Sequence, residues 1–161
     1  MIKVLFICHG NICRSPMAEF VFKKKIAELG IADQFYVASA ATSTEEIWNC
    51  VGNPVYPPAK AELLKHGITC EGKRATLLKK SDYDSYDYLI GMDDANIRNI
   101  KRMTDGEMLS NGGKIAMLLD FTGESYPIAD PWYTDRFDNC YMQIDMGCDA
   151  LIKYLMEKTS I

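Results

Sequence analysis

The residues with the clearest chemical potential lie in one short stretch near the start of the chain. Positions 7 to 16 read ICHGNICRSP, which brings Cys8, His9, Cys13, Arg14 and Ser15 within ten residues of one another. A set of this kind can bind a metal ion, form a redox pair, or hold an anion beside a nucleophilic thiol. The spacing of the residues discriminates between these uses.

A metal site is the least favoured of the three. Cys8, His9 and Cys13 do not form a Cys-x-x-Cys pair, and no second cluster of ligands follows to complete four-coordinate zinc. We therefore expect no metal and no cofactor. Cys8 and Cys13 flank one tight loop, so a secondary redox pairing of the two thiols stays open.

An anion cradle explains more of the pattern. Ile2 to Ile7 is an apolar run interrupted only by Lys3, which is typical of a buried parallel strand, and a helical pattern starts after Ser15-Pro16. A loop that leads from a strand into a helix directs backbone N–H groups and the positive end of the helix dipole toward one point. The sequence thus predicts a phosphate-binding loop, formed by His9, Gly10, Asn11, Ile12, Cys13 and Ser15.

Individual residues of this loop suit a nucleophilic reaction on phosphorus. Gly10 and Asn11 tolerate the left-handed backbone that a tight ring of amides requires. Arg14 offers a planar fork that matches two phosphate oxygens. Cys8 precedes the loop, where all of these groups favour the thiolate, and Ser15 either caps the helix or donates a hydrogen bond to the sulfur.

A phosphatase of this type also needs an acid for the leaving oxygen, and Asp130 in ADPWY is the best candidate. Pro131 restricts Asp130 to extended geometry, which predicts a carboxyl held in a defined pose off any helix. Trp132 and Tyr133 then offer flat faces for an aromatic leaving group. His9 is a poor acid candidate, because we expect it to point away from the centre of the loop.

Strands alternate with helices along the rest of the chain. Strands are predicted at Ile2–Ile7, Phe35–Ala38, Tyr88–Met92 and Lys114–Leu119, and helices after Pro16, at Pro58–His66, from the N-cap Asp93 to Arg102, and at Asp135–Lys158. This alternation predicts an α/β fold of one domain, residues 1–161, with a doubly wound parallel sheet of about four strands flanked by helices. The irregular stretches Ala40–Pro57 and Thr122–Thr134 are expected to form the rim of the site.

Composition excludes several classes of protein. The 161 residues carry a net charge of -4, so nucleic acid and anionic membranes are not expected as partners. The start of the chain lacks the pattern of a signal peptide, and no apolar run is long enough to span a membrane. Six scattered cysteines in a chain of this size fit a reducing compartment, and a cytoplasmic location is expected.

Two motifs connect the chain with a known family. VLFICHGNICRSPMAE resembles the N-terminal signature of the low-molecular-weight protein tyrosine phosphatases, and DPWY resembles their Asp-Pro-aromatic-aromatic loop. The resemblance covers the whole chain, including KHGI at 65 to 68 and MDDAN at 92 to 96. It implies hydrolysis of phosphotyrosine in proteins and of small aryl phosphates through a phosphocysteine, with inhibition by oxyanions such as phosphate or vanadate.

Roles follow from this resemblance position by position. It implies that Cys8 is the nucleophile, Arg14 the phosphate clamp and Asp130 the general acid and then base. It also implies that Asn11 and Ser15 support the loop and that Cys13 is a second cysteine that can form a reversible disulfide with the nucleophile. The substrate rim that it implies consists of Trp48, Asn49, Trp132 and Tyr133. Ala40 and Lys73 depart from the glycine and the histidine common in the family, and that histidine supports the active-site loop.

Two other functions use the same cradle. An arsenate reductase requires two relay thiols, but GMDDANIRNI after the third predicted strand contains no cysteine, and Cys140 and Cys148 are expected to pack within the last helix. A non-catalytic phosphotyrosine-binding module would need neither a nucleophile nor an acid. Nucleotide binding is not indicated, because the chain has no G-x-x-x-x-G-K-[ST] and no G-x-G-x-x-G motif.

Overall fold

The computed structural model describes residues 1–161 and contains the predicted alternation of strands and helices. The strands are β1 (Ile2–Cys8), β2 (Phe35–Ala41), β3 (Ile47–Trp48), β4 (Val51–Gly52), β5 (Tyr88–Gly91) and β6 (Ile115–Met117). The helices are α1 (Arg14–Glu28), α2 (Pro57–Lys65), α3 (Asp82–Ser85), α4 (Asp94–Thr104), α5 (Pro131–Thr134) and α6 (Phe137–Thr159). Short 3₁₀ helices occupy Ala32–Gln34, Leu109–Asn111 and Leu118–Thr122.

Four of the strands form one parallel sheet in the order β2-β1-β5-β6. Ile7 in β1 is paired with Ala40 on one side and with Gly91 on the other. The chain therefore crosses from one side of β1 to the other between β2 and β5. In doubly wound sheets a crevice opens at such a switch point, beyond the carboxyl ends of the strands. The predicted fold class is confirmed, and the loop after Cys8 lies at this crevice.

Alternation along β1 directs its side chains into two cores. Val4, Phe6 and Cys8 belong to the larger apolar cluster, which includes side chains of α1, α2 and α6. Leu5 and Ile7 face the smaller cluster, to which α4 contributes. Because residues of a strand alternate between the faces of the sheet, the Cys8 sulfur is directed toward the face covered by α1.

Several boundaries differ from the predicted ones for local reasons. β2 continues to Ala41, beyond the predicted end at Ala38, because its whole length pairs with β1. β6 ends at Met117 rather than Leu119, since the side chain of Asp120 accepts a hydrogen bond from the Met117 amide and the chain turns there.

The predicted irregular stretch between β2 and α2 contains a short antiparallel hairpin of β3 and β4. Asn49 and Cys50 form its turn with φ of 52° and 65°. Two successive left-handed residues are typical of a type I′ turn. This hairpin lies next in the chain after the segment that contacts the phosphate-binding loop.

None of the helices is both long enough and apolar enough to cross a lipid bilayer.

Candidate active site

The loop between β1 and α1 is anchored by its outward-facing carbonyls. The amides of Thr42 and Ser43 donate to the carbonyls of Cys8 and His9, each at 3.0 Å. The amide of Tyr56 donates to the carbonyl of Ile12 at 2.9 Å. With its carbonyls turned outward, the loop directs its N–H groups toward its own centre. The residues after β2 and before α2 thus fix the shape of the loop.

Several N–H groups converge on the sulfur of Cys8 or are free to bind a ligand. The amides of Asn11 and Ser15 donate to Cys8 Sγ at 3.3 and 3.4 Å. Four further loop amides make no hydrogen bond within the protein, those of His9, Gly10, Ile12 and Cys13. Free N–H groups that cluster at a helix N-terminus are suited to the oxygens of an anion.

The side chain of Asn11 determines which groups donate and which accept in the hydrogen bonds around the Cys8 sulfur. Its backbone is left-handed with φ of 58°, and its Oδ1 accepts a bond from the Thr76 amide at 3.0 Å. Nδ2 therefore donates both of its protons, to Ser15 Oγ at 2.7 Å and to Ser39 Oγ at 3.0 Å. Since Ser15 Oγ accepts from Asn11, its own proton is available for Cys8 Sγ at 3.0 Å. The Ser15 hydroxyl therefore donates to the Cys8 sulfur, and its side chain does not cap α1.

A buried carboxylate supports this network from behind. Ser39 donates to Glu19 Oε1 at 2.6 Å, and Glu19 also accepts from Lys23 at 2.6 Å. Lys73 donates to the Ser39 carbonyl at 3.0 Å and lies 3.9 Å from Glu19 Oε1. Burial lowers the pKa of Lys73, and the Glu19 charge opposes that effect. Lys73 thus contacts the residues that support Asn11 from behind.

Arg14 is almost completely buried at the base of the crevice, with 2% of its surface exposed. Nη1 donates to Asp93 Oδ2 at 2.7 Å and to the Ile128 carbonyl at 2.8 Å. Burial works against the charge, but the Cys8 sulfur and the Asp93 carboxylate outweigh burial and raise the pKa of Arg14. The guanidinium is consequently a permanent, rigidly held cation beside the sulfur.

Asp130, more than a hundred residues further along the chain, lies close to the Arg14 guanidinium. Its Oδ2 lies 3.6 Å from Arg14 Nη2, and its Oδ1 accepts a hydrogen bond from the Trp132 amide at 3.0 Å. The backbone of Asp130 is extended, as the following proline predicts. Asp130 lies outside any helix, as predicted, but it directly precedes α5 and its side chain is the N-cap of that helix, because Pro131 suits the first helical position.

The crevice is lined by the loop, by Asp130 with Trp132 and Tyr133, and by Glu45 and Glu46. Trp48 and Asn49, predicted as rim residues, are not among the lining residues: Trp48 is exposed and donates its indole N–H to the carbonyl of Glu45, and Asn49 is in the hairpin turn. The two glutamates were missed because nothing in their irregular stretch marks them.

The other predicted site residues, His9, Trp132 and Tyr133, also line the crevice and differ in their contacts. His9 faces outward and contacts Glu45 Oε2 at 3.0 Å. Trp132 packs on Tyr56, with ring centroids 4.8 Å apart, whereas Tyr133 is largely exposed.

The cysteines other than Cys8 differ from it in environment. Burial, with a contribution from Cys8, raises the pKa of the Cys13 thiol, and burial raises that of Cys140 to about 12. Cys148 is fully buried within α6. No group of three or more His, Cys, Asp or Glu side chains is arranged to hold a metal ion.

Known proteins with similar sequences and folds share one activity class. The sequence profile described as "Low molecular weight phosphotyrosine protein phosphatase" matches residues 3–161. The low molecular weight protein-tyrosine-phosphatase YfkJ of Bacillus subtilis is 34% identical, with 100% of both chains covered. PtpA of Staphylococcus epidermidis, with the same description, is 35% identical, with 100% of this chain and 98% of that protein covered.

Solved structures of phosphatases share the fold of this chain. The crystal structure of YfkJ superimposes with a TM-score of 0.89 over 99% of this chain and 97% of that one, at 34% identity. The structure titled "DARP, drosophila arginine phosphatase" superimposes with a TM-score of 0.83 at 28% identity, covering 96% and 98%.

Proposed function

The chain belongs to the low molecular weight phosphotyrosine protein phosphatases, and we propose that Cys8, Arg14 and Asp130 carry out the hydrolysis that this cysteine-dependent family performs. Residues 1–161 then act as a single phosphatase domain, since the nucleophile and the acid lie more than a hundred residues apart in the chain. The observation that carries the proposal is the convergence of Cys8 Sγ, the free loop amides, Arg14 and Asp130 on one crevice.

Binding of the phosphoryl group uses the base of the crevice. The free amides of the loop donate to its oxygens, and Arg14 supplies the permanent positive charge. Donors that are already in position cost no reorganisation when charge moves onto the equatorial oxygens of the transition state. The same donors make phosphate and vanadate competitive inhibitors.

The first half of the reaction forms the phosphocysteine. The Cys8 thiolate, stabilised by the Asn11 and Ser15 amides and by the Ser15 hydroxyl, attacks phosphorus in line with the leaving oxygen. As the S–P bond forms, the P–O bond to the tyrosine breaks, and Asp130 gives its proton to the departing phenolate oxygen. Tyrosine leaves with that proton, and Asp130 is left as a carboxylate.

The second half restores the enzyme. The Asp130 carboxylate removes a proton from a water molecule, whose oxygen attacks phosphorus while the S–P bond breaks. The electron pair of that bond returns to sulfur, where the same three hydrogen bonds stabilise the thiolate. Inorganic phosphate is released, and Asp130 carries the proton that the next cycle requires.

Turnover of two aryl phosphates with different leaving groups tests these roles. We expect Cys8→Ser to lower turnover to below about one thousandth of wild type. Asp130→Ala should lower kcat by about 10²–10⁴-fold with phenyl phosphate, and by much less with p-nitrophenyl phosphate, because its leaving oxygen needs less help from an acid. Asp84→Ala, an exposed position on α3, is the matched control.

Each alternative function predicts a different result in the same assays. Unchanged activity of Cys8→Ser would refute the mechanism. Tight binding of a phosphotyrosine peptide by wild type without turnover would indicate a binding module, and thioredoxin-coupled reduction of arsenate in place of ester hydrolysis would indicate a reductase. A mass increase of one phosphoryl group on Cys8 after rapid quenching is the expected intermediate.

Phosphoarginine is a useful comparison substrate, because one structural relative is titled an arginine phosphatase. Ile12 and Trp132 give this crevice apolar walls beside the leaving group. A flat apolar surface suits the phenyl ring of phosphotyrosine, whereas the N–H groups of a phosphorylated guanidine find no hydrogen-bond acceptor on such a wall. We expect a higher kcat/KM for phosphotyrosine than for phosphoarginine.

A further inference from the structure

The entrance to the crevice carries negative charge that the hydrolysis does not require. Glu45 and Glu46, here called the acidic edge, both line the crevice. The only lysine or arginine among the lining residues is Arg14, which is buried and already bonded to Asp93. The charge of the acidic edge is therefore not balanced by a permanent cation within the crevice.

Glu46 is held directly against the phosphate-binding loop. A Cβ atom placed on Gly10 would lie 3.3 Å from Glu46 Cγ, so the stem of this glutamate packs over the loop. Its Oε1 accepts a hydrogen bond from the neutral amide of Asn53 at 3.2 Å. This arrangement fixes the position of the Glu46 carboxylate and leaves its charge unpaired.

Glu45 is the outer member of the acidic edge. Its side chain is 69% exposed, and the structure pairs it with His9 Nε2 at 3.0 Å. The contact with His9 engages Oε2 of Glu45, so both glutamates hold carboxylate oxygens at the edge of the crevice, where the residues that flank a phosphotyrosine would pass.

We propose that the acidic edge selects phosphotyrosine substrates with a lysine or arginine next to the phosphorylated residue. The inference rests on the proposed function, since it concerns the same crevice. Opposite charges across an interface raise the rate of productive encounter, and like charges reduce it. Phosphoryl binding is served by the loop and Arg14, so the acidic edge affects the flanking residues and changes KM more than kcat.

Three phosphotyrosine peptides of equal length, differing only in basic, neutral or acidic flanking residues, test this selectivity. We expect kcat/KM for the basic peptide to exceed that for the acidic peptide by about tenfold at low ionic strength, with similar kcat values. The ratio should fall toward one in about 1 M salt, because exposed charges are screened at that concentration.

Two double variants separate the acidic edge from overall charge. Glu45→Gln with Glu46→Gln should reduce the ratio to about twofold or less, whereas Glu28→Gln with Glu157→Gln, which removes the same charge from the groove between α1 and α6, should leave it unchanged. Equal kcat/KM for basic and acidic peptides in wild type, or an unchanged ratio in the first variant, would overturn the proposal. Lack of turnover of every aryl phosphate would instead refute the proposed function.

Discussion

Asn11 is the residue on which the geometry around the nucleophile depends most. Its left-handed backbone turns the loop, and its side chain joins Thr76, Ser15 and Ser39. The direction of the Ser15 hydrogen bond to the sulfur follows from the two donors of this one amide. Asn11 acts through its neighbours and is a positioning residue.

Substitution of Asn11 distinguishes its backbone role from its side-chain role. Asn11→Ala loses three side-chain hydrogen bonds, two of them buried, and retains the strain of a positive φ, so we expect a loss of about 2–4 kcal/mol in the free energy of unfolding. Asn11→Gly loses the same bonds without that strain and should be about 1 kcal/mol more stable than the alanine variant. Urea denaturation measures both changes.

The activities of these two variants should not follow their stabilities. Both leave the Ser15 hydroxyl without its partner, so kcat for an aryl phosphate should fall by about ten- to a hundredfold in each. Recovery of full activity in Asn11→Gly, assayed well below its unfolding temperature, would show that only the backbone of Asn11 matters.

At the level of elements, the sequence predicts the catalytic loop better than the rim. A buried strand, a loop with Gly10 and Asn11, and a helix beginning near Ser15-Pro16 are all local signals, and they place Cys8 and Arg14 together. The acidic edge follows no periodic pattern, and the β3–β4 hairpin uses Asn49-Cys50 in a turn that ordinarily contains glycine. Neither local pattern nor composition indicates which of these residues faces the crevice.

Contacts between elements that are distant in the chain could not be predicted from the sequence either. Glu19 on α1 meets Ser39 on β2 and Lys73 in the segment between α2 and α3 only because the fold brings these three segments together. Asp93 was predicted as the N-cap of α4, which it is, but its bond to Arg14 depends on the order of strands in the sheet.

The close packing of α6 against the segment after β6 can be tested by a substitution at Gly147. A Cβ atom at Gly147 would lie 2.6 Å from Leu118 Cγ and 3.1 Å from Leu119 Cδ2, and both leucines are fully buried. Gly147→Ala should therefore destabilise the protein by about 1–3 kcal/mol, although alanine is the better helix former by about 1 kcal/mol. Met142→Ala on an exposed face of the same helix should change the midpoint of urea unfolding little. Stabilisation by Gly147→Ala would show that α6 can move away from the sheet.

Considered as a whole, the molecule assembles its anion site only on folding. The loop amides and Arg14 come from one segment, Asp93 and Asp130 come from segments far along the chain, and the guanidinium remains buried because these two carboxylates partly balance it. The unfolded chain has no such arrangement, so an oxyanion binds the folded state alone. Occupancy of the crevice and global stability are thus linked.

Thermal unfolding in the presence of vanadate or phosphate measures this linkage. An oxyanion at one hundred times its Kd should add about 2.7 kcal/mol to the free energy of unfolding, or roughly 5–10 °C in Tm for a chain of this size. Arg14→Lys keeps a positive charge but loses the fork that contacts two oxygens, so its Tm shift at the same oxyanion concentration should be much smaller. Sodium chloride at matched ionic strength controls for screening of surface charge. Equal shifts with chloride and phosphate in wild type, or an undiminished shift in Arg14→Lys, would mean that the stabilising anion binds elsewhere than in the crevice.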